Sequence, residues 1–177
     1  MPDYRRLWVP GGTYFFTVNL LRRRGNDLLT KHIADLRQAV QIIRRKHPFK
    51  IHAWVVLPDH LHCVIELPPG DGDFAIRWRL IKLVFSKRLP ALESCSAARQ
   101  HRGERGIWQR RYWEHLIRDE ADFIAHVDYV HINPQKHGLV LRVQDWPYST
   151  FHRWCEQGAY PSDWAGSDAG DALHYTD

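Results

Sequence analysis

The order of periodic segments along the chain is strand, helix, strand, strand, helix, strand, helix. It predicts an α+β fold: a ferredoxin-like antiparallel sheet with helices on one face, one extra C-terminal helix and an irregular aromatic tail. Three observations carry this. "GGTYFFTVNLL" (11–21) is a β-branched and aromatic run behind a Gly-Gly turn. "FKIHAWVVLP" (49–58) and "HLHCVIELP" (60–68) follow one another with only Pro58 and Asp59 near the junction. One stretch of three-and-four apolar spacing lies between the first and second strands, and another separates the third from "IWQRRYWEHLIR" (107–118), the fourth.

The first strand ends in the basic turn "RRRGND". From Leu28 to about His47, Leu29, Ile33, Leu36, Ala39, Val40 and Ile43 recur at helical spacing, and Pro48 stops the helix. Pro58 suits a strand end because it cannot donate to the ladder, so residues 49–68 read as an antiparallel hairpin. After the loop "PPGDGD", Phe74 to Leu89 is helical through Ile76, Leu80, Leu83 and Val84, and strongly basic through Arg77, Arg79, Lys82, Lys87 and Arg88. Residues 93–106 lack apolar periodicity and read as an exposed loop. Asp119 caps a last helix, "EADFIAHVDYVHI", which Asn133 and Pro134 are expected to end.

The length of 177 residues supports one domain, taken as residues 1–145, with 146–177 as a tail packed on or near it. Lys plus Arg (25) exceeds Asp plus Glu (20), and there are 8 tryptophans. That balance leans toward nucleic acid, where cations meet phosphates and rings stack on bases, and is also compatible with an ordinary basic enzyme. Cys63, Cys95 and Cys155 are widely spaced without a CxxC pair, and no leading apolar segment resembles a signal peptide, which predicts a reducing, cytoplasmic setting. No run approaches the ~18 apolar residues of a membrane span.

Side chains at i and i+2 of a strand share a face. In "DHLHCVIEL", Leu61, Cys63, Ile65 and Leu67 make one apolar face, and His60, His62, Val64 and Glu66 the other. Two imidazoles side by side can chelate a metal, although they fill only two positions; the plain alternative is a pair of satisfied histidines on a half-wet face. In "HVDYVHINPQKHG" (126–138), Tyr129 and Asn133 are four apart on one helix face, and His126 shares it. A helix laid across the open end of the sheet would bring a phenol and an amide to the imidazoles. Alternatively, Tyr129 packs with Phe123 and Val130 as core while Asn133 only caps the helix. Candidate phosphate contacts are Arg5, Arg6, Arg22, Arg23, Arg24, the basic helix with Lys82, and Arg110 and Arg111. The tail rings Trp146, Tyr148, Phe151, Trp154, Tyr160 and Trp164 either wrap the core or lie beside the site, stacking on DNA or blocking access.

Together, "LPDHLHCVIELP", "WQRRYWEHLIRDEADFIAHVDYVHINPQKHGLV", "WPYSTFHRW" and "YPSDWAG" resemble the REP-associated tyrosine transposases, a branch of the single-tyrosine transposases in the HUH (His-hydrophobic-His) endonuclease superfamily. The resemblance runs from "GGTYFFTVNL" to "YPSDWAG". It implies metal-dependent cleavage and rejoining of single-stranded DNA at hairpin-forming repetitive extragenic palindromes, through a 5′-phosphotyrosine. It places the HUH pair, on a central strand, at His60 and His62 and the nucleophile at Tyr129. Asn133 stands where the broader group carries Gln, with His126 or water as substitutes for the third ligand. The implied ion is Mg²⁺ or Mn²⁺, and the implied partners are single-stranded DNA and DNA hairpins, in a bacterial, nucleoid-associated setting. Related transposases are dimers with swapped tyrosine helices, whereas this branch is expected to act as a monomer. Two other readings stay in view: a hairpin-binding protein on the same sheet that does not cleave, and a zinc hydrolase using His60, His62 and Glu66, against which the missing HExxH motif argues.

Overall fold

The computed structural model describes residues 7–91, 96–167, 170 and 173. The four strands are β1 (Thr13–Asn19), β2 (Lys50–Val56), β3 (His60–Glu66) and β4 (Trp113–Leu116). They form one antiparallel sheet in the order β2-β3-β1-β4, the ferredoxin-like arrangement. The segments TYFFTVN and HLHCVIE take its centre, where stiff β-branched and aromatic side chains are covered on both sides.

Register fixes which residues share a face. Asn19 stands opposite His60, Thr17 opposite His62 and Phe15 opposite Val64. The alternate residues Tyr14, Phe16, Val18, Leu61, Cys63 and Ile65 join the main core on the other face. Two helices close that core, α2 (Ile33–Lys46) through Leu36, Ala39 and Ile43, and α3 (Phe74–Arg88) through Phe74, Trp78, Ile81 and Phe85. Asp73 caps α3 by accepting from Ile76 N–H at 2.9 Å.

The last long helix, α5 (Glu120–Lys136), crosses the opposite face over β2 and β3. Val127, Tyr129 and Val130 pack there against Phe15, Ala53, Val55, Leu57 and Val64. Asp119 caps it, accepting from Asp122 N–H at 2.9 Å. No helix among the described residues is long and apolar enough to cross a membrane.

Five local expectations change. The helix expected over 28–47 is two, α1 (Leu28–Lys31) and α2, parted at His32, whose N–H still bonds Leu28 O at 3.0 Å. The loop at 93–106 contains a short helix, α4 (Ala97–His101), while residues 92–95 lie outside the described residues. The fourth strand shrinks to four residues because Leu21 N–H bonds Ile107 O and Gln109 N–H bonds Asn19 O, which folds 107–111 across the end of β1. Helix α5 does not stop at Pro134: a proline removes one backbone bond in a last turn whose residues Ile132 to Pro134 are buried, and Gly138, at φ 67, ends the turn instead. The tail forms α6 (Phe151–Glu156), and Ser149 bridges Val55, so residues 148–150 cover the edge of β2.

Candidate active site

The turn between β2 and β3 delivers the first two histidines. His60 and His62 are 2% and 0% exposed, with ring centroids 4.9 Å apart. Asp59 Oδ1 lies 2.6 Å from His60 Nδ1, and Asp59 Oδ2 accepts from Arg23 Nε at 2.7 Å. Burial pushes the Asp59 carboxyl up, but His60 and Arg23 outweigh it and hold the group down to about 2. Asp59 is therefore a carboxylate held against His60 Nδ1, a contact that orients the ring. His60 Nε2 is buried and has no hydrogen-bond partner among the described residues. Thr17, facing His62 across the ladder, sets its hydroxyl 2.8 Å from His62 Nδ1 and fixes the second ring.

Helix α5 supplies the facing groups. Tyr129, Asn133 and His137 follow at intervals of four and make one stripe. The Tyr129 ring, 3% exposed, lies edge-on to His62 at 5.4 Å, and Lys136 Nζ stands 5.4 Å from its centroid. Asn133 is buried, and its Oδ1 has no hydrogen-bond partner among the described residues. His137 caps the helix with its ring 5.1 Å from His60, and His60, His62 and His137 present ligand atoms within 4.8 Å of one another. A buried ring nitrogen and a buried amide oxygen, each unsatisfied, would ordinarily cost ~1–3 kcal/mol apiece. Three imidazoles this close, with an amide oxygen on the same helix stripe, are a donor set for a divalent cation, so these residues fit one.

His126 lies elsewhere. Its Nδ1 is 2.7 Å from Asp122 O, and its ring stacks on His115 at 4.5 Å, so it belongs with His115 and Asp122 rather than with His60 and His62. Burial first, and the charge of His115 after it, lowers its pKa.

The cations divide by environment. Arg22 and Arg24 are exposed on the loop after β1, as are Arg110 and Arg111 before β4. The bonds tying residues 19–21 to 107–109 bring these loops together at the end of the sheet where Asn19 faces His60. Arg23 is held by Asp59, and Lys82 donates to Gln109 O at 2.9 Å beside the Trp108 and Tyr112 rings. Within the basic helix, Arg77 is no phosphate contact. It is 1% exposed and donates to Asp71, Pro48 O and Asp73 O, pinning two loops to α3. Arg5 and Arg6 lie outside the described residues.

The tail is fastened to the tyrosine helix. Asp128, beside Tyr129, accepts hydrogen bonds from the Tyr160 and Ser167 hydroxyls. His131 Nε2 lies 2.9 Å from Thr150 Oγ1, and burial, helped by the charges of Arg153 and His152, pushes its pKa down to about 3. Trp146 and Trp154 donate to Val56 O and His52 O of β2, so the tail rings cover core.

Reading the sequence alone misses Asp59, Thr17 and His137. His137 had a signal, the spacing of four after Asn133, hidden by treating Pro134 as a stop. Thr17 has none, because only register sets it opposite His62.

A ferredoxin-like sheet with two histidines on a central strand, faced by a tyrosine on the helix behind it, defines a single-tyrosine transposase domain. Residues 13–133 match the family described as "Transposase IS200 like". The chain is 51% identical over 166 residues to the REP-associated tyrosine transposase of Escherichia coli (strain K12), covering 94% of this chain and 92% of that protein. A solved structure of a REP-associated tyrosine transposase bound to a REP hairpin superposes with a TM-score of 0.81 at 48% identity, covering 99% of this chain and 100% of that one. The chain belongs to the IS200-like transposases, in the REP-associated tyrosine transposase group.

Proposed function

We propose that this protein cleaves and rejoins single-stranded DNA beside hairpins of repetitive extragenic palindromes, with Tyr129 as the nucleophile. The observation that supports this reading most is the stripe Tyr129, Asn133, His137 on α5 set against His60 and His62 on β3. The solved relative bound to a REP hairpin supports the choice of DNA partner.

Tyr129 Oη attacks the scissile phosphorus in line, and the bond to the 3′ oxygen breaks as the tyrosyl–phosphorus bond forms. The phenol proton passes to solvent, and the leaving oxygen takes one up as a 3′-hydroxyl. The product is a 5′-phosphotyrosine that another 3′-hydroxyl can attack, rejoining strands without a nucleotide cofactor. Lys136 places a positive charge beside the ring on which negative charge develops. His60, His62 and Asn133, joined by His137, would hold Mg²⁺ or Mn²⁺, which supplies positive charge to the non-bridging phosphate oxygens. Asp59 and Thr17 keep both rings turned toward that position. Exposed Arg22, Arg24, Arg110 and Arg111 would meet backbone phosphates of the strand, and Arg5 and Arg6 are further phosphate contacts expected from the sequence. Residues 146–167 act as part of the same unit, fastened through Asp128.

The test incubates the protein with labelled single-stranded palindromic-repeat oligonucleotides in Mg²⁺, Mn²⁺ or chelator, resolved on a denaturing protein gel. A metal-dependent covalent band absent from Tyr129→Phe is expected. Tight hairpin binding with no covalent band would favour a hairpin-binding protein that does not cleave.

A further inference from the structure

We propose that Trp113 is a stacking platform for an unpaired nucleobase next to the scissile phosphate, an inference that rests on the single-strand cleavage reading above. The register carries it. Val55 faces His62, His62 faces Thr17, and Thr17 faces Trp113, so these four residues form one row across all four strands on the same side of the sheet. Trp113 thus stands on the face that bears the histidines, two interstrand spacings or ~10 Å from His62.

Helix α5 packs over β2 and β3, and its stripe covers the His60 and His62 end of that face. On β4 the Trp113 indole is 46% exposed, whereas Trp78 on the opposite face is 1% exposed. Its strand is anchored on either side of the indole. Glu114 is buried on the other face, and His115, the next residue on the same face, holds Asp122 at 2.9 Å. Exposed Arg110 and Arg111 precede it, and exposed Arg22 and Arg24 lie on the loop bonded to that segment. A flat indole on a fixed strand, preceded by two exposed arginines and on the face that bears the histidines, matches a nucleotide of an unpaired strand: phosphate to the guanidinium groups, base to the ring. Paired bases of a stem keep their faces stacked inside the duplex and cannot use it.

The test compares equilibrium affinities, in chelator so that no cleavage occurs, for a DNA hairpin carrying a short unpaired extension on its 5′ or 3′ side and for the same hairpin with a blunt stem. Trp113→Ala should weaken binding of one extended hairpin about tenfold and leave the blunt hairpin unchanged, and Trp113→Phe should restore most of the loss. Replacing extension bases one at a time by abasic sites should reveal one position that costs the wild type the same factor and costs Trp113→Ala nothing further. Trp113→Leu, which keeps apolar bulk without an aromatic face, should behave as Ala does, separating stacking from loss of packing. Unchanged affinity for both extended hairpins, equal losses on extended and blunt hairpins, or abasic losses that add to the mutation would each overturn the proposal. Because binding is read without chemistry, an absent Tyr129 adduct would sink the cleavage reading while leaving this result to stand.

Discussion

Asp59 and His60 are adjacent in sequence and joined by a 2.6 Å contact between carboxylate and Nδ1, which leaves His60 Nε2 pointing where no protein group satisfies it among the described residues. If Asp59 orients a ligand, Asp59→Ala should lower Mn²⁺ affinity by ~10–100-fold in calorimetry. The Mn²⁺-free melting temperature should change little by comparison. An unchanged affinity would mean that the contact is only a turn bond.

Arg77 and Arg110 predict opposite outcomes although both are arginines in basic stretches. Arg77→Ala removes donors to Pro48 O, Asp73 O and Asp71, and should cost about 2–3 kcal/mol in urea unfolding. The Asp71 carboxylate is itself partly in water, which tempers the loss. Replacing Arg110 and Arg111 together by Ala should leave stability within ~0.5 kcal/mol and reduce the salt slope of DNA binding by about 2.

The hold of the tail on the tyrosine helix runs through Asp128. Asp128→Ala strips the Tyr160 and Ser167 hydroxyls of a buried acceptor and should destabilise the protein by ~1–3 kcal/mol. Limited proteolysis should then cut beyond Trp146 faster than in the wild type. Equal cutting rates would show that the aromatic contacts alone hold the tail.

His131 predicts a pH effect of definite sign. Folding lowers its pKa from 6.5 to about 3, so between those values the unfolded chain binds a proton that the folded chain refuses. Its share of stability is complete above pH 6.5 and is lost as pH falls toward 3, at up to ~1.4 kcal/mol per pH unit. In urea titrations across that window, His131→Gln should flatten the slope by about one proton relative to wild type. Parallel slopes would contradict a buried neutral imidazole.

The parts of the site legible in the sequence are those set by local period. A period of two puts His60 and His62 together wherever β3 lies, and a spacing of four aligns Tyr129 with Asn133. Proline removes one donor without dictating where a packed helix ends, so the spacing of four that continues from Asn133 to His137 is hidden when Pro134 is read as a stop. Nor does charge reveal burial, as Arg77 shows. Helix α6 is held by bonds from Trp154 and Arg153 to the edge carbonyls of β2, partners about a hundred residues away in sequence that no local pattern announces.

The most direct test of the central claim is mass spectrometry of the wild-type protein after reaction with a palindromic-repeat oligonucleotide in Mn²⁺, followed by proteolysis and nuclease trimming. A nucleotide-bearing peptide modified on Tyr129 through a 5′ phosphate is expected. Cleaved DNA with no modified peptide, or modification on another side chain, would contradict it.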